Sequence, residues 1–229
     1  MSTLLQVQQL SCTAENGLVL FGNVEFVVNE GDVVVVTGKS GSGKSTLLKS
    51  LAHFNLYSGH VLYRGRAPTS YGIPEYRTKV AYVPQRPSLL PGTPRSFLRT
   101  VSSFKARQKH KGPIVDAPIN VAQSWGIDPQ LWDREWSNLS GGEVQRISLA
   151  TGLALNDAEV LLLDEPTSAL DRESCLLVER FILDNLKSPE TDLKAIVWIT
   201  HSVEQAERVG TRFLQVSGGS CSEDQSLPV

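Results

Sequence analysis

The amino-acid sequence predicts an α/β fold: a mostly parallel sheet, an antiparallel β segment at its N-terminal end and an inserted helical lobe. Three observations carry that prediction. A β-branched run at 33–36 leads directly into a glycine-rich loop and then into a stretch with leucines at 47, 48 and 51. From 142 to 216, short apolar runs alternate with segments long enough for helices. Between these two regions, Pro84, Pro87, Pro91, Pro94, Pro113, Pro118 and Pro129 interrupt every longer element. Strands that alternate with helices imply parallel pairing through right-handed crossovers. Prolines exclude central strands and interior helical turns, so the interrupted region reads as short helices.

Taken in order, residues 4–37 read as strands, with apolar runs at 18–21 and 26–28 separated by Gly22 and Asn23. Gly31 and Asp32 make a turn, and the run at 33–36 is too short for a helix and apolar on both faces, as a covered central strand must be. A helix is expected over 45–54, with further strands at 61–63 and 80–83. The lobe, 85–138, is expected to hold short helices near 95–108, 120–125 and 129–132, packed through Trp125, Trp132 and Trp136. The remainder is expected as helix 142–155, strand 160–164, helix 172–186, strand 195–199, helix 203–209 and strand 213–216. Residues 1–84 and 139–216 thus form one α/β core. The polar, glycine- and serine-rich segment 217–229 reads as a flexible tail.

Composition sets the bounds. The chain has 229 residues, enough for one domain with a lobe, and its hydrophobic fraction of 41% is that of a protein with a buried core. A formal net charge of −2 gives no global attraction to nucleic acid, and none is expected as a partner. One local basic run, Arg99, Lys105, Arg107, Lys109 and Lys111, reads as a solvated face, with a partner-facing or lipid-facing patch as the alternative. Cys12, Cys175 and Cys221 have neither metal-ligand spacing nor an even count, which favours a reducing compartment. The first residues lack the basic start and apolar stretch of a signal peptide. No apolar run approaches the ~20 residues of a membrane-spanning helix.

The chemistry lies in three stretches. Gly38-Lys39-Ser40-Gly41-Ser42-Gly43-Lys44-Ser45-Thr46 follows a strand, opens a helix and fits the phosphate-loop pattern of two glycines, lysine and a hydroxyl residue. Its glycines let backbone N–H groups turn inward around phosphate oxygens, Lys44 would reach the β- and γ-phosphates, and the Ser45 hydroxyl would coordinate Mg²⁺. Four apolar residues then deliver Asp164 and Glu165 to a strand's C-terminal end, the edge where open α/β sheets bind ligands. Asp164 is expected to hold Mg²⁺, and Glu165 to polarise a water. Between them, Leu139-Ser140-Gly141-Gly142-Glu143-Val144-Gln145-Arg146 offers a helix-capping serine and two glycines that let a phosphate approach exposed N–H groups.

That third stretch resembles the signature of ATP-binding cassette (ABC) ATPases, with Glu143 in place of the commoner glutamine. The resemblance extends over nearly the whole chain. Gln85, after Tyr82-Val83-Pro84, is similar to the family's glutamine-loop residue, which contacts Mg²⁺ and water and couples to the membrane partner. Ser168-Ala169-Leu170-Asp171 matches the dimer-contact loop, and His201, after Trp198-Ile199-Thr200, the switch histidine that touches the γ-phosphate. The aromatic that many members stack on adenine is absent near Thr13-Ala14-Glu15, which implies either weaker nucleotide binding or an apolar residue such as Leu18 receiving the base.

The resemblance implies ATP and Mg²⁺ as ligands. It also implies head-to-tail pairing of two copies of this chain, so that Ser140, Gly141, Gly142 and Glu143 of one act on the ATP of the other. A separate polytopic membrane subunit and a place on the cytosolic face of a membrane follow. Within the family the chain resembles small stand-alone cassettes of the iron-export and aluminium-tolerance type, which implies an ATPase powering metal-ion export or tolerance. The alternatives are a soluble cassette that remodels a non-membrane partner such as a cluster-assembly scaffold, and a nucleotide-binding regulator with little turnover.

Overall fold

The computed structural model describes residues 2–86, 91–104, 116–155, 158–217 and 219–224. Two sheets organise the described residues. The first is antiparallel, in the order β2-β1-β4, from β1 (Thr3–Thr13), β2 (Val19–Asn29) and β4 (Ser58–Tyr63). The second has β3 (Val33–Thr37), β5 (Val80–Val83), β6 (Val160–Asp164), β7 (Ala195–Ile199), β8 (Arg212–Ser217) and β9 (Ser220–Asp224) in the order β5-β6-β7-β3-β8-β9. Its first five strands are parallel, and β9 pairs antiparallel with β8.

The apolar runs are explained by cover on both faces. Along β3, Val34 and Val36 join one core with α1 (Lys44–Leu51) and the antiparallel sheet, while Val33 and Val35 join a second core on the opposite face. Val160 and Leu162 of β6 alternate with Leu161 and Leu163 in the same way, as do Val197 and Trp198 of β7. A period of two divides each strand's side chains between two cores, so neither face can be polar. The second core also takes in the lobe, through α4 (Pro94–Ser102), α5 (Asp116–Ser124) and two 3₁₀ turns at Pro129–Asp133 and Trp136–Asn138. Trp125, Trp132 and Trp136 are all buried there.

Several expectations shift. The run at 18–21, from Val19 onward, and the run at 26–28 belong to one strand, β2, which passes through Gly22 and bends at Asn23, whose φ is 51°. The strand expected at 61–63 starts earlier, at Ser58, and pairs antiparallel with β1, with Val61 opposite Val7. Two short helices, α2 (Pro68–Tyr71) and α3 (Ile73–Lys79), were not anticipated. The segment expected to be loose from residue 217 contains β9, closed onto β8 and anchored by the Gly22 N–H, which donates to the Gly219 carbonyl at 2.7 Å. Of the basic run, Lys105, Arg107, Lys109 and Lys111 lie outside the described residues, as does the end of the helix expected over 95–108.

Three helices complete the core: α6 (Gly141–Ala154), α7 (Arg172–Lys187) and α8 (Val203–Val209). Each starts on a side-chain cap, from Ser140, Asp171 and Ser202 respectively. Such caps satisfy backbone donors that the helix itself cannot.

Candidate active site

The loop between β3 and α1 crosses the C-terminal edge of the parallel sheet. Gly38, Gly41 and Gly43 have φ of 144°, 77° and 97°, a region that favours glycine. At two of them space forbids any other residue as well. A Cβ on Gly38 would stand 2.2 Å from the Val216 carbonyl oxygen, and one on Gly43 would stand 2.9 Å from that of Leu20. Gly43 caps α1 without any side-chain hydrogen bond, so the first N–H groups of that helix remain available. Ser42 Oγ is buried with no hydrogen-bond partner. Lys39 and Ser40 are exposed on the outer rim, and Ser45 and Thr46 sit in the first turn. A turned-in backbone, an uncapped helix start and an orphaned hydroxyl together fit an anion of several oxygens.

Lys44 is 5% exposed, and its Nζ donates to the carbonyls of Gly38 and Lys39, each at 2.9 Å. Burial lowers its pKa, while the charges of Glu165 and then Asp164 oppose that shift. Asp164 is 3% exposed and accepts from Ser45 Oγ at 3.0 Å on one oxygen and from Tyr82 Oη at 2.8 Å on the other. Burial, then the Asp164 charge and hydrogen bond, push the Tyr82 phenol well above the ordinary tyrosine range. The Ser45 hydroxyl and the Asp164 carboxylate are hard oxygen donors within one hydrogen bond of each other, a donor set that suits Mg²⁺.

Glu165, the next residue, has φ 47°, the left-handed region that a non-glycine residue enters only at a cost of about 1–3 kcal/mol. Its N–H still donates to the Ile199 carbonyl at 3.2 Å, so the bend turns the side chain off the strand without detaching the backbone from β7. One carboxylate oxygen accepts from Gln85 Nε2 at 2.8 Å, and the other lies 2.9 Å from His201 Nε2. Gln85 follows β5, Glu165 follows β6 and His201 follows β7, so three adjacent parallel strands deliver one cluster.

The signature stretch stands apart from these groups. Ser140 Oγ accepts from the Glu143 N–H at 3.3 Å, and Glu143 Oε2 accepts from the Ser140 N–H at 2.7 Å, a reciprocal box that closes the first turn of α6. This is a physical reason for glutamate at that position: an anion in a helix's first turn is favoured by its dipole. Gly141 has open space around its Cα. The later residues of the motif face inward instead. Gln145 Oε1 accepts from the Ala169 N–H at 2.9 Å, and Arg146 donates to the Trp125 carbonyl and to Ser174 Oγ. The motif thus fixes the turn at 168–171 while its glycine end stays free.

Tyr82, and the hold of Gln145 on the turn at 168–171, escaped sequence reasoning. A tyrosine three residues before the glutamine was the available signal for the first, but nothing in the sequence shows its partner 82 positions away. Turn residues 14–18 hold themselves together, with the Ala14 N–H donating to the Leu18 carbonyl. They leave Leu18 60% and Val19 59% exposed beside Leu20, the residue that touches Gly43.

The family model described as "ABC transporter" matches residues 21–168, which include the phosphate loop, Gln85, the signature and both carboxylates. The chain belongs to the ABC transporter ATPase family. Among its relatives, the putative ABC transporter ATP-binding protein YjkB of Bacillus subtilis is 36% identical over 201 residues, 86% of this chain and 75% of the relative. The probable iron export ATP-binding protein FetA of Escherichia coli is 32% identical over 226 residues, 97% of this chain and 96% of that protein. A solved ATP-binding subunit of an ABC transporter shares the fold, with a TM-score of 0.83 over 97% of this chain and 90% of the other, at 22% identity. As an ABC family member, this chain is an ATPase and the ATP-binding subunit of a transporter. No helix among the described residues is long and apolar enough to cross a membrane.

Proposed function

We propose that this ATPase binds Mg·ATP on the loop 38–46, pairs head to tail with a second copy of itself, and drives a separate polytopic membrane subunit from the cytosolic face. The observation that supports this reading best is the cluster Gln85–Glu165–His201 beside Ser45–Asp164 and Lys44 at one sheet edge. Backbone N–H groups from Gly38 to Thr46 and the Lys44 ammonium neutralise the phosphates. Ser45, Asp164 and the Gln85 amide oxygen would hold Mg²⁺, which would supply charge neutralisation to the leaving phosphate. Leu18 and Val19 provide the apolar surface for the base.

Glu165 orients a water and takes its proton as the water oxygen bonds to the γ-phosphorus and the bond to the bridging oxygen breaks. His201 donates from Nε2 toward the γ-phosphate, in the direction it now presents to Glu165. Ser140, Gly141 and Gly142 cover that phosphate from the other copy, with Glu143 keeping their helix start in place. Two copies are needed because the chain carries each motif once and its glycine end at 141 faces open space.

A metal ion, exported or detoxified, is the cargo this reading favours, in line with the E. coli relative whose name is that of an iron exporter. The test is purification of the tagged chain from gently solubilised membranes, followed by metal efflux from cells with and without it. A polytopic partner and lost metal efflux support the proposal. Recovery with a soluble partner alone overturns the membrane reading and leaves the ATP chemistry standing. In Glu165→Gln, turnover falls by about 10²-fold or more while nucleotide still binds. Light scattering then finds an ATP-dependent dimer; a monomer at saturating Mg·ATP rejects head-to-tail pairing.

A further inference from the structure

A cavity of about 490 Å³ opens behind Glu165 and His201, between α7, α8 and the turn after β6. Along its wall runs a buried polar chain that the hydrolytic roles above do not use. Gln205, 7% exposed, donates from its amide nitrogen to Thr167 Oγ1 at 2.9 Å and to Glu179 Oε1 at 2.7 Å. An amide nitrogen carries two hydrogens, so both are committed. Glu179, 4% exposed, is held in turn by Arg208, whose Nε lies 3.0 Å from Oε2 and whose Nη2 lies 2.9 Å from Oε1. A buried carboxylate is tolerated when it is both charge-paired and hydrogen-bonded, and here it is.

Chain position gives this network its meaning. Gln205 lies in the first turn of α8, where its N–H donates to the capping Ser202 Oγ at 3.1 Å, and His201 directly precedes that cap. Thr167 comes two residues after Glu165 and directly before the turn at 168–171. One side chain therefore ties the segment that delivers His201 to the segment that joins Glu165 to the expected dimer contact. Gln145, reaching the Ala169 N–H from α6, grips the same turn from the signature side.

We infer that Gln205 is a positioning residue for hydrolysis, keeping His201 in register with Glu165 and with the turn at 168–171, while Glu179 and Arg208 fix the orientation of its amide. The inference rests on the roles proposed above for Glu165 and His201. The chemistry asks for an amide at 205, because the contact with Glu179 needs a donor and a carboxylate there would set two anions 2.7 Å apart.

The experiment uses the full chain. It measures kcat and KM for ATP, equilibrium binding of a fluorescent ATP analogue, and melting temperature. Gln205→Met keeps the length of the side chain without its donors, and Gln205→Glu reverses the polarity of the contact. In both, kcat falls about tenfold or more, as displaced catalytic groups cause, while nucleotide affinity stays within about twofold because the phosphate loop is untouched. The exchange Gln205→Glu with Glu179→Gln recovers most of the lost kcat, since donor and acceptor trade places across one contact. Unchanged kcat in Gln205→Met overturns the inference. So does a fall in kcat matched by an equal loss of nucleotide affinity and melting temperature, or an exchange variant that folds as the parent does and regains nothing. His201→Ala separates the levels: if it retains full kcat, the site reading itself fails. If it loses kcat while Gln205→Met does not, only the positioning role falls.

Discussion

α1 and α6 both begin at glycines at the edges of the expected catalytic region, yet their N-termini are built in opposite ways. At α1 the cap, Gly43, contributes no side chain, Ser42 Oγ has no partner, and β6 brings Asp164 to the spot beside Lys44, the first residue of the helix. At α6, Ser140 and Glu143 satisfy each other, and the space beyond Gly141 is open. A helix start without a cap leaves donors for a ligand, whereas a capped start is stable alone. The first is thus half of a site completed from inside the chain, and the second a finished surface that acts only when something approaches it. This contrast is what the proposed pairing of two copies exploits.

The strongest way to break the comparison is to disable each end separately. Lys44→Ala removes the buried cation of α1 and abolishes nucleotide binding, with turnover down by about 10²-fold or more. Ser140→Arg fills the approach to α6 and abolishes turnover to a similar extent, but leaves nucleotide binding intact, because that end holds no nucleotide within its own chain. Mixing the two variants regains turnover, since one composite site then joins an intact loop to an intact signature. Two inactive variants that stay inactive when mixed, despite forming dimers, count against sites shared between chains.

A finer probe is Tyr82→Phe. It removes the phenol that holds the second oxygen of Asp164, a hydrogen bond to a charged group worth about 1.5–3 kcal/mol. Part of that loss reappears as disorder in the carboxylate expected to hold Mg²⁺. The Mg²⁺ concentration for half-maximal turnover, followed by titration at fixed ATP, rises severalfold, whereas Mg-free nucleotide binding changes little. Equal effects on both would place Tyr82 in the packing of the loop rather than beside the metal.

The smallest expected effect is at Glu143. The Ser140 N–H, then the Ser140 hydroxyl, hold its carboxyl below the usual glutamate range. A depressed carboxyl pKa stabilises the fold above the unfolded value and loses that contribution as pH falls through the folded one. Glu143→Gln therefore costs stability at neutral pH, at the lower end of about 0.3–1 kcal/mol because solvent screens this turn, and the difference from the parent closes in acid. The same variant removes an anion from the path of a phosphate, so the ATP concentration that produces dimers falls. Melting curves across pH and dimer titrations check both arms.

The candidate site residues named from the sequence share one property: the chemistry proposed for them needs fixed residue types at fixed local spacing. Gly38, Gly43, Lys44 and Ser45 form one such pattern, and Ser140 with Glu143 form another, both readable because the interacting atoms lie within a few residues of one another. Asp164, Glu165 and His201 were readable for a related reason, each standing at the end of a short apolar strand. What was missed depends on partners far away in the chain. Tyr82 meets Asp164 across 82 positions, and Gln205 meets Thr167 across 38. The strand at 220–224 was not legible because its polar composition gives no strand signal. Its order comes from β8 and from the Gly22–Gly219 hydrogen bond, 197 residues apart in sequence.

The sequence by itself determined the alternation of buried strands with helices, the phosphate-loop geometry and the two carboxylates, because each follows from local sterics, capping and a two- or 3.6-residue period. Tertiary structure alone decided that β4 pairs with β1, that β9 exists, and that Gln85, Glu165 and His201 touch. Those outcomes depend on which strands become neighbours, a choice made by the free energy of burying whole faces together.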